Sequence, residues 1–300
     1  MLMITPVLHA THLDASRRGR LWRFLQFPVT RFLLAAAMVV AFEAVMGLGK
    51  QAFGISWRSA PGSVMALLIA LGVLGVYAGY VRLIERRAVV ELGRRGAALE
   101  FVSGWLLGTA LFGVTMLILW SMGAWTVVGM NPWSALAYPL AGSLMQGCGE
   151  EILLRAILFR IVEESLGSRI ALGLSAVIFG LLHAFNPGAT AISSIAIALS
   201  GGILLGAAFM YTRRLWLAIG LHAAWNFTQG GIFGASVSGT EAQGLLAGRF
   251  HGSNLVTGGH FGPEASIVAL LVALAAGAIC IDQARRRGHV VRAFWQRPPI

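Results

Sequence analysis

Charge is scarce in this chain of 300 residues, of which 12% are charged and 57% are hydrophobic. Soluble domains usually carry about 25% charged residues. A water-facing surface cannot be built from so few charges, so we expect most of the surface to face lipid. The net charge of +11 comes almost entirely from arginines in short clusters between apolar runs. This pattern is typical of loops that set membrane topology, and it argues against nucleic-acid binding.

Several motifs of other protein classes are also missing. The two cysteines, Cys148 and Cys280, lie in apolar runs without a CxxC pair, which excludes a disulfide framework. The absence of HExxH excludes a zincin-like helix. No histidine is placed as an obvious partner of Ser143, Ser236 or Ser238, which argues against a rhomboid-like serine protease. The first apolar run lacks a clear cleavage site, so it is interpreted as an uncleaved span.

Long apolar runs are what the chain has instead. A bilayer core of about 30 Å requires roughly 20 apolar residues in a helix. The candidate spans are residues 32–48, 62–83, 101–122, 134–160, 169–185, 189–211, 214–229 and 264–283. We therefore predict an all-α, polytopic membrane protein with about eight transmembrane helices.

The connections between these runs alternate in charge. Every second one is basic, beginning with the cluster that includes Arg17 and Arg18 and ending with the tail after residue 283. The only basic residues in the intervening connections are Lys50, Arg58 and Arg249. By the positive-inside rule, both termini are expected in the cytoplasm, which suits a bacterial cytoplasmic (inner) membrane.

Ionisable groups inside spans are costly, so each is a candidate for function. In the motif E-E-I-L-L-R, Glu151 and Arg155 are four residues apart and share a helix face. Glu150 is rotated by about 100° from Glu151. We therefore predict that Arg155 neutralises Glu151 and leaves Glu150 free as a general base in a polar cavity. The alternative is a buried charge cluster that only locks helices together.

Two further motifs carry histidines. His183 ends F-G-L-L-H, with Phe179 one turn earlier on the same face, where its ring would shield the imidazole from lipid. His222 and Asn226, in H-A-A-W-N, also share a face and can stabilise an oxyanion. For both motifs the alternative is a hydrogen bond between helices.

Depth in the membrane tests whether these groups can meet. At about 1.5 Å per residue, Glu150, His183 and His222 lie roughly 15, 20 and 12 Å from the predicted cytoplasmic edges. One shared polar cavity costs less than three separate burials. We therefore predict a polar catalytic cavity within the membrane. Glu43, alone in the first span, is interpreted as a structural hydrogen-bonding residue.

The three motifs together resemble the CAAX prenyl endopeptidase and bacteriocin-processing (CPBP, Abi) family of intramembrane proteases. The family pattern is EExxxR, then FxxxH, then HxxxN or HxxxD, and the resemblance is strongest over residues 132–230. It implies that Glu150 and His183 activate a water molecule and that His222 and Asn226 stabilise the oxyanion. The residues with implied supporting roles are Glu151, Arg155 and Phe179.

The resemblance leaves the cofactor open, because the reaction would use either no metal or a divalent metal such as zinc. In the second case Glu150, His183 and His222 would supply three ligands and leave a position for water.

We accordingly predict an endopeptidase that hydrolyses a peptide bond in a membrane-associated protein or peptide, with the lipid bilayer as its environment. The alternatives are a non-catalytic membrane scaffold or immunity factor, and a proton-coupled transporter. The predicted parts are a basic cytoplasmic segment (1–31), N-terminal transmembrane helices (32–131), the protease core (132–230), an extracytoplasmic loop (231–263), the last transmembrane helix (264–283) and a basic cytoplasmic tail (284–300).

Overall fold

Helices make up most of the molecule, which was analysed as a computed structural model that describes residues 19–297. Arg17 and Arg18 of the predicted basic segment lie outside these residues. In chain order the helices are α1 (Arg20–Leu25), α2 (Pro28–Ala52), α3 (Ala60–Tyr80), α4 (Ala97–Ser121), α5 (Ala137–Glu151), α6 (Arg160–His183), α7 (Ala191–Ile197), α8 (Ile203–Thr212), α9 (Trp216–Asn226), α10 (Asn254–Thr257) and α11 (Ile267–Arg286).

Wider, π-helical turns extend or join several of these helices. They continue α3 to Glu85, join α5 to α6 through Ile152–Phe159, join α7 to α8 through Ala198–Gly202, and extend α9 to Ile232. Such turns are rare and occur frequently at functional sites.

Six helical stretches of the described chain are long and apolar enough to cross a membrane. They are Pro28–Ala52, Ala60–Glu85, Ala97–Ser121, Trp133–His183, Ala191–Thr212 and Ile267–Arg286. The helical membrane architecture is therefore confirmed, whereas the number of eight spans and the orientation stay predictions.

The difference between six and eight has a structural reason. The stretch Trp133–His183 covers 51 residues, and it contains Gly167 at φ 77° and ψ 168°, far from helical geometry. The predicted fourth and fifth spans lie on either side of this glycine. The predicted seventh span corresponds to α9, which has 11 residues before its π-helical extension. It is too short to count by itself, since a span requires roughly 20 residues.

A two-stranded antiparallel sheet departs from the all-α prediction. Strand β1 (Trp125–Met130) pairs with β2 (Leu246–Phe250), with an irregularity in register between Val127 and Gly129. Gly123, at φ 70°, turns the chain out of α4 just before β1. The strictly α-helical prediction is therefore wrong for these two segments.

Residues 233–265, here called the cap, fold against the helices. Ala235 and Phe261 of the cap are 2% and 1% exposed. The amide of Gly239 donates to the carbonyl of Phe261, and Gln229 of the α9 extension donates to the carbonyl of Ser236. The predicted extracytoplasmic loop thus contains buried, hydrogen-bonded structure, and it includes β2.

An ionic network joins α2, α3 and α6 at the end of the molecule that we call the arginine-rich end. Arg31 lies 2.6 Å from Glu164 and 3.0 Å from Glu85, and Arg160 lies 2.6 Å from Glu85. Arg31, Glu85 and Arg160 are all buried, so their charges are balanced by one another rather than by water.

Close backbone contact sets the position of α9. A Cβ atom at Gly104 or Gly108 of α4 would lie 2.2 Å from the carbonyl oxygen of Leu217 or 2.3 Å from that of Leu221, respectively. The two glycines are four residues apart, the spacing that allows membrane helices to approach closely. Because Leu221 precedes His222, this contact also determines where that histidine lies.

We expect Gly108→Ala to lower the unfolding temperature in detergent, because the new methyl group collides with backbone of α9. Overpacking of this kind costs about 1–3 kcal/mol. Gly113→Ala, on the same helix with no atom near the new methyl group, is the matched control. It should be neutral or stabilising, since alanine favours helix over glycine. Equal unfolding temperatures for the two variants would contradict the proposed contact.

Candidate active site

A buried ion pair lies where α5 passes into its π-helical turn. Glu151 and Arg155 are both 0% exposed, and Arg155 Nη1 donates to Glu151 Oε1 at 3.1 Å, as their spacing predicts. Arg155 Nη2 donates to the carbonyl oxygens of Gly201 and Gly202 at 3.3 and 3.2 Å. The arginine therefore ties α5 to the turn between α7 and α8.

His222 of α9 is oriented by the same ion pair. Its Nδ1 lies 2.9 Å from Glu151 Oε1, and its Nε2 lies 3.9 Å from Glu150 Oε2. An ionised carboxylate only accepts, so Nδ1 carries the proton in this hydrogen bond. Glu151 thus fixes the ring and directs Nε2 towards Glu150.

Glu150 has the freedom that the sequence predicts for it. Its side chain is 33% exposed, whereas that of Glu151 is fully buried. Glu150 Oε2 has no hydrogen-bond partner among the described residues. The carboxylate lines a cavity of about 170 Å³ that also borders His183 and Asn186. This space exceeds the 10–15 Å³ or so that one water molecule requires.

His183 is the last residue of α6, and its Nδ1 lies 2.8 Å from the carbonyl oxygen of Phe179. A carbonyl only accepts, so Nδ1 is protonated and Nε2 of the neutral ring is an acceptor. The Phe179 ring centre lies 4.4 Å from that of His183 and 6.1 Å from that of His222. Phe179 therefore contacts both histidines, which agrees with its predicted shielding position.

Asn226 lies one turn after His222 and is 7% exposed. Its Nδ2 donates to Gln146 Oε1 at 3.1 Å, which uses one of the two amide protons. Gln146 is one turn before Glu150 on α5, and sequence reasoning did not single it out. The sequence feature that could have identified Gln146 is its position as a polar side chain inside a predicted span.

A second, smaller cavity also borders His183, and it borders His222 as well. The space open to water-sized groups in it is about 30 Å³. Its polar lining consists of His183, Ser200, His222, Asn226, Ser238 and Glu264. Sequence reasoning missed Glu264, although it is the first charged residue of the predicted last span. Ser238 was considered only as a nucleophile.

Glu43 of α2 does not have the surroundings that the sequence analysis predicts. It makes no hydrogen bond with the described residues, so the expected structural hydrogen bond is wrong. Instead its carboxylate lies against Gly149, where a Cβ atom would be 2.6 Å from Glu43 Oε1. The glycine thereby admits a further carboxylate next to Glu150.

A metal centre is not assembled within residues 19–297. No three His, Cys, Asp or Glu side chains are grouped so that they could hold a metal ion. The alternative ligand set of Glu150, His183 and His222 stays a prediction. Both histidines bind protein acceptors through Nδ1, which leaves Nε2 of each ring available.

Comparison with known families bears on the same region. Residues 131–228 match the family model described as type II CAAX prenyl endopeptidase Rce1-like. The chain contains an Rce1-like domain. The predicted family is thereby confirmed, and the matched residues include all three motifs. No curated protein and no solved structure matches the chain.

The six apolar helices and the Rce1-like domain support an integral membrane protein, and the family of that domain is a protease family. A protein of this family would lie in a lipid bilayer and act on a protein or peptide. The site geometry described above belongs to this domain, apart from Glu43 and the residues that the cap supplies.

We expect Arg155→Leu to destabilise the protein by about 3–5 kcal/mol, because it leaves the fully buried Glu151 without a counter-charge. The measurement is denaturant unfolding in detergent. Arg286→Leu is the matched control, since Arg286 forms the same four-residue pair with Asp282 but both side chains are exposed. Its effect should be about 0.5 kcal/mol or less. An equal cost for both variants would show that the buried pair has no special role.

Proposed function

We propose that this protein is an intramembrane endopeptidase that hydrolyses a peptide bond in a membrane-associated protein or peptide through a water molecule activated by Glu150. The observation that carries the proposal is the free Glu150 carboxylate, which lies in a cavity beside two oriented histidines. The Rce1-like match supports the peptidase class.

Glu150 and His183 are proposed to bind the attacking water. The Glu150 carboxylate and the His183 ring both line the 170 Å³ cavity and both offer acceptors, so one water molecule can donate a hydrogen bond to each. The water oxygen then keeps a lone pair for the substrate carbonyl carbon. As the C–O bond forms, Glu150 takes one proton as general base.

The carbonyl oxygen becomes an oxyanion in this step, and donors must face it. The second Nδ2 proton of Asn226 is free for this purpose, because only one is used by Gln146. His222 in its imidazolium form donates from Nε2, with Glu151 as the counter-ion at Nδ1. When the C–N bond breaks, protonated Glu150 returns its proton to the leaving amine, and the carboxylate is restored.

Glu151, Arg155 and Phe179 are proposed as positioning residues. Glu151 holds His222, Arg155 compensates the charge of Glu151, and Phe179 packs on both histidine rings. None of the three lies where it would need to exchange a proton with substrate. This arrangement requires no metal ion.

The proposed location is the bacterial cytoplasmic membrane, with the arginine-rich end at the cytoplasmic face. The basic connections support this orientation, since positive residues are retained on the cytoplasmic side. The cap would then lie at the outer face, on the opposite side of the bilayer from the ionic network.

We expect Glu150→Gln to abolish proteolysis while the protein still inserts and folds, because Gln keeps the shape of the side chain but cannot take a proton. Loss of general base catalysis typically costs about 10²–10⁴-fold in rate. The measurement is comparative proteomics of membrane peptides in a deletion strain and in a Glu150→Gln strain. Accumulation of the same uncut protein in both strains is the expected result, and it names the substrate.

The control strain carries Glu241→Gln, which makes the same chemical change at an exposed position of the cap. It should show wild-type cleavage. Wild-type cleavage in the Glu150→Gln strain would overturn the proposal and favour a non-catalytic scaffold or immunity factor. Proton-coupled uptake that depends on Glu150 without any proteolysis would favour the transporter.

For Asn226→Ala, we expect kcat on the identified substrate to fall by about 10²–10³-fold with little change in KM. The reason is that the lost amide donor faces the oxygen only after it becomes an oxyanion. Steady-state kinetics of the purified protein in detergent test this. A rise in KM with unchanged kcat would instead assign Asn226 to substrate binding.

A further inference from the structure

The buried carboxylate of Glu264 is the strongest feature that the proposed reaction does not use. Glu264 belongs to a short turn, Pro263–Ala265, that precedes α11, and it is 4% exposed. Its Oε1 accepts from both the amide and the hydroxyl of Ser238, the latter at 3.0 Å. Its Oε2 accepts from none of the described residues. Because Glu264 lines the smaller cavity, a group bound there can supply the donor that this oxygen lacks.

The position of Ser238 is determined by the protein around it. The backbone of Ser238 has a φ of 48°, in the left-handed region that residues other than glycine rarely adopt. Its carbonyl oxygen accepts from Asn186 at 2.9 Å, three residues after His183. The neighbouring Gly239 packs on Pro187 so closely that a Cβ atom there would lie 1.8 Å from its carbonyl oxygen. The cap therefore holds Glu264 in a fixed place relative to the end of α6.

The chemistry of the smaller cavity selects its ligand. Glu264 Oε2 and, by the tautomer described above, His183 Nε2 are acceptors. The lining also contains the polar side chains of His222 and Asn226, and its apolar walls include Leu204, Leu221 and Trp225. A group that donates hydrogen bonds next to Glu264 satisfies this acceptor, and a positive charge matches the carboxylate.

The size of the cavity limits which positively charged groups can bind there. A space of about 30 Å³ holds roughly two groups of the size of water. An ammonium group and its adjoining methylene have that size, whereas the planar, five-donor guanidinium of arginine is larger. The apolar walls suit the methylene stem that such a group carries.

We propose that Glu264 and Ser238 form a subsite that binds a primary ammonium group of the substrate next to the catalytic histidines. The ammonium is either a lysine side chain or a free N-terminal amine, which share this chemistry. Glu264 would then determine specificity in the proposed peptidase. The inference rests on the proposed function, because that function brings the substrate to this cavity.

The titration of Glu264 agrees with such a role. Burial raises the pKa of the Glu264 carboxyl, although it faces His183 and His222 across the cavity. Because the folded-state pKa is raised, the unfolded chain loses this proton at lower pH, and the group destabilises the fold as pH rises through this range. Glu264→Gln should therefore unfold at the same or a higher temperature, since Gln can still accept from Ser238. A residue that only stabilises the cap would show the opposite.

The test measures peptide binding to the full-length Glu150→Gln protein in detergent, where no cleavage occurs. The probes are fluorescent apolar peptides with one lysine at successive positions, each paired with its Nε-acetyl-lysine analogue. A second pair has no lysine and carries either a free or an acetylated N-terminal amine. The preference is the ratio of Kd values within a pair, so differences between peptides in membrane affinity cancel.

We expect one pair to show a preference of about tenfold or more for the free amine, the effect of a charge-assisted hydrogen bond. Glu150→Gln/Glu264→Gln should lose this preference, with a ratio near one. Glu150→Gln/Glu241→Gln, which alters an exposed carboxyl of the cap, should keep it. Which pair responds distinguishes a lysine side chain from a free N-terminus.

Two outcomes would overturn the subsite: the absence of any preference in Glu150→Gln, or a preference that Glu264→Gln leaves unchanged. These are separable from failure of the proposed function. If the wild-type protein cleaves no peptide while amines bind through Glu264, the subsite stands and the peptidase does not. If the wild-type and Glu264→Gln proteins cleave the same peptides equally well, the peptidase stands and the subsite does not.

Discussion

The guanidinium of Arg155 has no exposed surface, and a buried charge is tolerated only when it is paired and hydrogen-bonded. Its Nη1 and Nη2 are hydrogen-bonded in two directions, to Glu151 on the same helical stretch and to the carbonyl oxygens of Gly201 and Gly202, whereas its Nε has no partner among the described residues. Glu151 in turn binds His222 of α9. One charge therefore connects α5, the turn before α8, and α9, and the geometry of the candidate site depends on it.

This connection separates the two adjacent glutamates into different roles. Glu151 is hydrogen-bonded to Arg155 and His222. Glu150 is not, and its Oε2 has no partner among the described residues, while the residue lines a cavity. The close contact of α4 with α9 at Gly104 and Gly108 keeps His222 at the height where it meets this pair. The arrangement of the candidate site in an apolar protein thus follows from how one buried charge is neutralised.

The cap adds what the helices do not contain. It brings Ser238 and Glu264 to the smaller cavity that both histidines line, while Glu150 and His183 line the 170 Å³ cavity. His183 borders both cavities, because it ends α6 directly beneath the cap. The site is therefore built by two parts of the chain, the Rce1-like domain and the segment that follows it.

The sequence by itself determined the helical membrane character, because so few charges cannot cover a surface in water. It also determined the pairing of Glu151 with Arg155, since helical periodicity brings residues four apart onto one face. Only the tertiary structure decided the π-helical turns, the β1–β2 sheet, the approach of Glu43 to Gly149 and the position of Glu264. Each of these depends on contacts between residues far apart in the chain, which local periodicity does not encode. Glu264 is the clearest case, because its nearest partners, Ser238 and the two histidines, meet it only after the cap has folded back over α6.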